Sequence, residues 1–291
     1  MEIREVWRFP VKSMLGQHLE RARVTASGVL GDRAWAIVDA SDGKVASAKN
    51  PRKWRALLAC RAEFLDEPTD TAPAPDVRIT FPDDVSVTSA DGDVDDRLSE
   101  YLGRPVRLTS SVPEAPIFEE TWPDVEGIAP TDIIDSTRAR YDEGESVSDL
   151  SLAMAAPGSF LDLAPVHLLT TASLAEFGRL QPQSEFAIAR FRPNFVIDGA
   201  GDGFPENGWV GADVELGAAT VNIMMPTMRC VMTTLAQGEL PEDRGVLRAA
   251  STHNRLEITG LGKWACVGAY AGVVTPGDVA VGDAVTTAAP A

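Results

Sequence analysis

The stretch VRITFPDDVSVTS, residues 77–89, places two short runs rich in β-branched residues on either side of a proline and two aspartates. Apolar and polar residues alternate in each run, which is typical of a strand that buries one face. The intervening FPDD, residues 81–84, favours a tight turn. The stretch therefore predicts a β-hairpin.

The same features recur along much of the chain. Further strands are predicted in REVWRF (4–9), ERARVTAS (20–27), RAWAIVDA (33–40), KVASA (44–48), RPNFVID (192–198), DVELGAATVNIMM (213–225), CVMTTL (230–235) and DVAVGDAVTT (278–287). Helices are predicted in DGDVDDRLSEYLGRP (91–105), ending at Gly103, and in APVHLLTTASLAEFGRL (164–180), where a buried strand runs into a helix capped by Thr170 or Thr171. These patterns predict a mainly β protein with a few helices, α+β in class and barrel-like in both halves.

A change of composition indicates how the chain divides. Its 291 residues favour two domains over one. Residues 112–150 hold eleven acidic residues against Arg138 and Arg140, with several prolines, and we assign no regular structure to them. We expect a β-barrel domain over 1–108, an acidic connector or lid over 109–158, and a second β-barrel domain over 159–291.

Charge is distributed unevenly. The net charge of −17 argues against nucleic acid and acidic membrane surfaces as general partners. Residues 1–61 nevertheless hold 12 Lys and Arg against 6 Asp and Glu. This basic segment indicates either solvated surface charge or a local anionic ligand.

Hydropathy and cysteine usage indicate the compartment. No apolar run reaches the roughly 20 residues that span a bilayer, and the N-terminus has no signal-peptide pattern, so we expect a cytoplasmic protein. Cys60, Cys230 and Cys266 are far apart, and there is no CxxC or zinc-type Cys–His spacing. This spacing argues against a disulfide framework, a structural zinc and an iron–sulfur cluster.

Four short motifs place cationic and small polar side chains near predicted strand ends. They are FPVKS with Lys12 and Ser13, GDRAW with Arg33, RFRPNFVI with Arg190, Arg192 and Asn194, and PTMRCVMTT with Thr227, Arg229 and Cys230. Arginine suits phosphate, because its planar fork donates two parallel hydrogen bonds. Since Arg229 directly precedes Cys230 at a predicted loop-to-strand junction, we expect a cation that favours the reactive thiolate. A small buried hydrophobe is the alternative for Cys230.

Together and in this order, these motifs resemble the MOSC family, named for the C-terminal domain of molybdenum cofactor sulfurase. APVHLLTTASLAEF and the closing PGDVAVGDAV add to the resemblance, which covers most of the chain and is weakest over 112–158. The first hundred residues resemble the β-barrel domain that often precedes the MOSC domain. The likeness is to two-domain members that reduce N-hydroxylated compounds.

The resemblance implies roles for the motif residues. Cys230 would ligate molybdenum, a metal that binds soft thiolate well, and a pterin dithiolene would supply the other sulfur ligands. The expected cofactor-binding residues are Lys12, Ser13, Arg33, Thr170, Arg190, Arg192, Asn194, Thr227 and Arg229. Asp162, in FLDLAP, falls where related reductases carry an acidic residue near the metal. It would donate a proton or orient a substrate, or else serve as a turn carboxylate.

The implied function is a molybdenum cofactor enzyme that removes oxygen from N-hydroxylated or N-oxygenated compounds. Two alternatives stay open: a sulfurtransferase or sulfur carrier with a persulfide on Cys230, and a non-catalytic carrier of the cofactor. No pyridoxal phosphate binding is expected. A reductase would need an external electron-transfer protein of flavin, iron–sulfur or cytochrome type, because three cysteines cannot ligate a cluster. The acidic connector would suit a donor with a basic docking face.

Overall fold

A computed structural model describes residues 1–137, 139–152 and 159–287. Arg138 and residues 153–158, both part of the predicted connector, lie outside the described residues, as do residues 288–291. Strands outnumber helices throughout the described ranges, which confirms a mainly β protein with a few helices.

The first part of the chain folds mainly as short strands. They are β1 (Glu2–Arg8), β2 (Gln17–Leu19), β3 (Arg21–Thr25), β4 (Gly28–Val29), β5 (Ala36–Asp39), β6 (Arg61–Phe64), β7 (Val77–Thr80), β8 (Ser86–Thr88) and β9 (Val106–Thr109), with helices α1 (Pro51–Trp54) and α2 (Val94–Leu102). The predicted hairpin is confirmed, since β7 and β8 pair antiparallel around residues 81–85. The predicted helix over 91–105 is also confirmed, and Gly103 ends it in the left-handed region at φ 66°. The strand predicted in KVASA is wrong, because only Val45 forms a bridge there, to Val38.

Residues 117–151, which we call the insert, form a small antiparallel sheet. It contains β10 (Ile117–Trp122), α3 (Thr131–Ser136), β11 (Arg140–Asp142) and β12 (Glu145–Ser151), and β12 is the central strand. The expectation of a segment without regular structure was therefore wrong. The acidic strands are stabilised by cations from elsewhere in the chain: buried Glu119 accepts hydrogen bonds from Lys44 at 3.0 Å and pairs with Lys53 at 2.8 Å.

The insert also neutralises much of the basic segment 1–61. Lys44 pairs with Asp149 at 2.8 Å, Lys49 pairs with Glu120 at 3.0 Å, and Arg52 pairs with Glu145 at 3.5 Å. These cations therefore have partners within the chain. Some of the basic residues of this segment also line a cavity.

The second part of the chain continues the β architecture. It contains β13 (Val166–Thr170), α4 (Thr171–Leu180), α5 (Ile188–Phe191), β14 (Phe195–Asp198), β15 (Asp213–Leu216), β16 (Ala219–Met228), α6 (Gly245–His253), β17 (Arg255–Ile258), β18 (Gly262–Thr275), β19 (Gly277–Ala280) and β20 (Val285–Thr287). The predicted strand-to-helix unit at 164–180 is confirmed, and the Thr170 hydroxyl caps α4 by accepting from Ser173 N at 3.1 Å.

The strand predicted in CVMTTL is wrong. Residues Val231–Thr234 form a 3₁₀ helix instead. The hydroxyls of Thr233 and Thr234 donate to the carbonyls three residues earlier, Cys230 at 3.1 Å and Val231 at 2.7 Å. Such local side-chain bonds offer the backbone an alternative to a sheet ladder, so Cys230 lies between a strand and a helical turn.

The largest sheet joins the two ends of the chain. Its order is β2-β1-β14-β13-β18-β16-β15-β20, with β17 added beside β18. β1 pairs antiparallel with β14, so that Val6 lies opposite Phe195, and β3 pairs with β19. Val6 and Phe195 share one buried core with residues from the rest of this sheet. The N-terminal strands therefore complete the core of the second half, while a separate core is built from residues between 11 and 106.

Candidate functional site

The four predicted motifs meet at one cavity of about 100 Å³. The turn after β1, the turn before β5, the end of α5 and the end of β16 each contribute residues, and the loop before β13 closes one side. Nine predicted residues line the cavity: Lys12, Ser13, Arg33, Asp162, Arg190, Arg192, Asn194, Arg229 and Cys230. Residues far apart in sequence thus form a single site.

Positive charge dominates the walls of this cavity. Among its described lining residues, one carboxylate, that of Asp162, stands against six cationic side chains: Lys12, Arg33, Lys49, Arg190, Arg192 and Arg229. Burying a charge without a partner costs several kcal/mol. Lys12, Lys49 and Arg33 have carboxylate partners, whereas the lining as a whole keeps an excess of cations, which favours an anionic ligand.

Two of the arginines lie on one aromatic ring. The guanidinium carbons of Arg33 and Arg192 are 4.3 and 4.2 Å from the ring centroid of Phe9. Burial, and then the neighbouring Arg33, lower the pKa of Arg192 to about 9, although Asp32 and Asp162 oppose the shift. Arg192 donates one hydrogen bond, to Met14 O at 2.7 Å.

The backbone of the site is held in an uncommon conformation. Five non-glycine residues in the described ranges have positive φ, and three of them line the cavity: Ser13 at 65°, Arg33 at 50° and Arg192 at 54°. Each such residue costs roughly 1 kcal/mol or more, and such residues cluster at functional sites. The chain is therefore strained where it presents hydroxyl and guanidinium groups to the cavity.

Asp162 lies between two lysines. Lys12 bonds one carboxylate oxygen of Asp162, and Lys49 lies 3.3 Å from the other. Burial alone would raise the pKa of Asp162, but Lys12 and Lys49 outweigh burial and hold this pKa well below its usual range. Asp162 is therefore held ionised at neutral pH, which favours a positioning role over proton donation. Its contacts show it positioning the two lysines.

Cys230 is a free, half-buried thiol in the cavity wall. Its sequence neighbour Arg229 is directed elsewhere, because the guanidinium donates to Val267 O at 2.8 Å and Phe191 O at 3.2 Å. Burial raises the pKa of Cys230 to about 11, and Lys49 is the cation that offsets part of this effect. Arg229 still interacts electrostatically with Cys230, since Cys230 is among the groups that raise the pKa of Arg229 against burial. The expectation that Arg229 favours the thiolate stays a prediction. A metal ligand role requires that the metal displace the proton.

Arg190 holds the segment that follows Cys230. Its side chain is 1% exposed. The guanidinium donates to four main-chain carbonyls, those of Glu185, Thr233, Leu235 and Pro241, at 2.8–3.3 Å. Arg190 is thus a positioning residue in this structure.

Asn194 and His167 also fix the site. The Asn194 amide accepts from His167 N at 3.0 Å and donates to Asp32 at 2.9 Å. The His167 ring lies between Arg229, 2.6 Å from Nε2, and the carbonyl of Arg192, 3.4 Å from Nδ1. Burial and then Arg229 hold the pKa of His167 well below its ordinary value, so the ring is neutral and accepts at Nε2.

Two predicted residues lie away from the cavity lining. Thr170 is fully buried, and its hydroxyl donates to Glu206 at 2.6 Å. Thr227 is also fully buried, and its hydroxyl has no hydrogen-bond partner among the described residues. Contact of either threonine with a cofactor stays a prediction.

Sequence reasoning missed several residues of the site, His167 among them. Phe9 was present as the first residue of the FPVKS motif, but only the fold places it against Arg33 and Arg192. Lys49 and Tyr270 line the cavity outside every motif. Phe118, from the insert, lies under Lys12 and Lys49, with centroid distances of 5.2 and 5.0 Å. Nothing in the composition of the insert indicates this contact.

Fold and site together define the class of protein. Residues 157–286 match the MOSC domain, and residues 1–105 match the MOSC N-terminal beta barrel domain. The chain belongs to the MOSC family, as a member with an N-terminal β-barrel domain.

Two curated relatives share this arrangement. The chain is 26% identical to human mitochondrial amidoxime-reducing component 1 over 306 residues, which covers 97% of this chain and 82% of that protein. It is 24% identical to bovine mitochondrial amidoxime reducing component 2 over 252 residues, which covers 80% of this chain and 66%, just under two thirds, of that protein.

Two solved structures show weaker likeness. The YUAD protein from Bacillus subtilis has a TM-score of 0.44 and 9% identity, covering 98% of this chain and 94% of that chain. YiiM from Geobacillus stearothermophilus has a TM-score of 0.31 and 17% identity, covering 43% of this chain and 54% of that chain. Within the described ranges, none of the helices combines the length and the hydropathy needed to cross a membrane.

Proposed function

We propose that this chain binds the molybdenum cofactor in the cationic cavity, with Cys230 as the protein ligand to molybdenum, and reduces N-hydroxylated compounds. The observation that carries the proposal is a half-buried thiol in a cavity lined by six cations and one carboxylate. The names of the two curated relatives, both amidoxime-reducing components, support the same substrate class. A cytoplasmic location is part of the proposal, and cell fractionation tests it.

The cavity residues fit both the phosphate and the metal of such a cofactor. Arg33 and Arg192 leave most of their N–H groups without partners among the described residues, which suits a phosphate. Ser13 accepts from Ala48 N at 3.0 Å, so its own O–H stays available as a donor. Across the described part of the chain, no three His, Cys, Asp or Glu side chains group to hold a metal. Cys230 would therefore share the metal with ligands that the cofactor brings.

When bound, the cofactor would supply two-electron oxygen-transfer chemistry at molybdenum. The protein's own residues bind and orient. Arg190 holds the turn after Cys230 through main-chain carbonyls, and Arg229 and His167 hold each other in the cavity wall by a hydrogen bond. Asp162 fixes two lysines at the cavity wall. These contacts keep the thiol and the cations in place before any ligand arrives, which lowers the cost of binding.

Sulfur transfer is less well supported by the site. A persulfide forms by attack of a thiolate, and burial raises the pKa of Cys230 to about 11. Without a metal, the thiol is protonated at neutral pH. A carrier without activity is separated from a reductase by measured turnover.

The electrons would come from another protein. Cys60 and Cys266 are buried in two different apolar clusters, so neither adds to Cys230 as a cluster ligand. We expect no turnover with NADH alone, and turnover after addition of a flavin, iron–sulfur or cytochrome donor. The rate should fall as salt rises. NADH-dependent turnover without added protein would contradict this arrangement.

The proposed function is tested first by elemental analysis. The protein is purified from a host that makes molybdenum cofactor, and molybdenum and pterin are measured per chain. We expect both near one equivalent. A labile persulfide without metal would favour sulfur transfer instead.

A further inference from the structure

A cation that no motif predicts lies at the thiol end of the cavity. Lys49 precedes α1, and its side chain is 16% exposed. Its ammonium group donates to Glu120 at 3.0 Å, lies 3.3 Å from Asp162, and stands 5.0 Å from the ring centroid of Phe118. An ammonium group has three N–H donors. Two carboxylates are its partners among the described residues, and Lys49 also lines the cavity, which leaves donor capacity for a ligand there.

The surroundings keep this lysine charged. Burial alone would lower the pKa of Lys49, but Asp162 and Glu120 outweigh burial and raise it well above the ordinary value. Glu120 belongs to the insert, and it is 5% exposed. A long side chain held by two carboxylates and an aromatic ring loses little further freedom when it binds a ligand.

The cavity therefore has two separate groups of cations. Arg33 and Arg192 share the Phe9 ring and act on each other. Lys49 shares the Phe118 ring with Lys12, and it is the cation with the largest effect on the Cys230 thiol. The first group suits the phosphate of the cofactor. The second lines the same cavity as the Cys230 thiol and acts on it.

We infer that Lys49, held by Glu120 of the insert, donates a hydrogen bond to the oxygen of an N-hydroxylated substrate in front of Cys230. The inference rests on the proposed function and deepens it. As the N–O bond weakens, negative charge develops on this oxygen, and a fixed cation in a site shielded from water stabilises that charge. Lys49 acts here as a hydrogen-bond donor and keeps its proton.

The position of Lys49 can be tested on protein made without cofactor. Iodoacetate and iodoacetamide both alkylate the thiolate, so the ratio of their rates at Cys230 reports the charge in front of it and not the thiol pKa. The ratio is measured by mass spectrometry of the Cys230 peptide. Lys49→Gln should lower it at least threefold, and Lys49→Arg should retain it. Lys53→Gln is the matched control, because Lys53 pairs with the insert and does not line the cavity.

Kinetics on the cofactor-loaded protein complete the test. With a simple aromatic amidoxime, Lys49→Gln should lower kcat/KM about 10- to 100-fold at unchanged molybdenum content, and Lys53→Gln should stay within about twofold of wild type. Equal alkylation ratios and equal kcat/KM for both glutamine variants would overturn the inference. Loss of molybdenum from Lys49→Gln would also overturn it, by making Lys49 a cofactor contact. If wild type reduces no amidoxime while the ratio still depends on Lys49, the proposed function fails and the placement of Lys49 stands.

Discussion

Replacing Arg192 with glutamine should stabilise the protein that lacks cofactor and weaken its hold on cofactor. Arg192 is 8% exposed and lies beside Arg33 over the Phe9 ring. Its pKa of about 9, against the ordinary 12.5, measures the cost of keeping this charge. Because both values lie above neutral pH, the full cost is present at pH 7. One pKa unit corresponds to about 1.4 kcal/mol, so the displacement is worth at most about 5 kcal/mol.

The stability gained by removing the buried charge is partly offset by lost contacts. Glutamine donates more weakly to Met14 O, now 2.7 Å from the guanidinium, and it loses contact with the Phe9 ring, at about 1–2 kcal/mol for each. We therefore expect the unfolding free energy of the cofactor-free protein to rise by about 1–2 kcal/mol. Cofactor retention should fall about 10- to 150-fold, since a charge-assisted hydrogen bond contributes about 1.5–3 kcal/mol.

Two measurements check the expected rise in stability and the expected fall in cofactor retention. Urea denaturation of protein made without cofactor gives the stability change, and molybdenum content after dialysis gives the retention. Arg192→Lys keeps the charge but lacks the planar fork. Its stability and its molybdenum retention should therefore both lie between those of wild type and Arg192→Gln. A destabilised cofactor-free variant with unchanged molybdenum content would refute the assignment of Arg192 to an anion site.

Three further outcomes are expected. Cys230→Ser should abolish molybdenum binding and activity while circular dichroism and Tm stay near wild type, because oxygen is a poor ligand for a soft site; full activity would contradict both the metal and the persulfide role. The three cations around Glu119 hold its pKa at about 2, although burial opposes them. Glu119 therefore contributes its full stabilisation above its ordinary pKa of 4.5, and this contribution, about 2 kcal/mol, is lost as pH falls towards 2. In Glu119→Gln, the unfolding free energy measured against pH should show no such loss. Gly268→Ala should destabilise by about 2 kcal/mol or more, since φ is 82° and a Cβ would lie 2.5 Å from His167 Nε2. Gly260→Ala, at φ 78° with open space around it, isolates the backbone strain, and equal Tm losses in both alanine variants would exclude the clash.

The sequence indicated which residues form the site because strand ends cluster in a sheet protein. The motifs with Lys12, Arg33 and Arg192 each follow or precede a strand, and the fold brings these ends together at one cavity. The cap of α4 was likewise predictable from the sequence, since a threonine that precedes a helix can accept a hydrogen bond from a free N–H group of the first turn.

Other features depend on contacts that composition does not encode. Arg229 and Cys230 are adjacent in sequence, but Cys230 has extended backbone, with φ −119° and ψ −178°, and successive side chains on such backbone point in opposite directions. The cation with the largest effect on the thiol is Lys49, from a distant turn. The composition of the insert does not predict its strands, because the cations that stabilise them lie about 70 residues earlier in the chain, as the pair of Lys49 and Glu120 shows.

The pairing of β1 with β14 constrains how the chain comes off the ribosome. β1 can pair with β2 as soon as Leu19 has been made, but Glu2 lies opposite Asp198, so the other edge of β1 lacks its partner until roughly 190 more residues have been made. At about 5–20 residues per second, that interval is about 10–40 seconds. During it, Ile3 and Val6, both buried in the finished protein, lie in a strand with an open edge, which is a target for wrong pairing. The sheet edge formed by β1 is therefore completed only when the second half of the chain has been made.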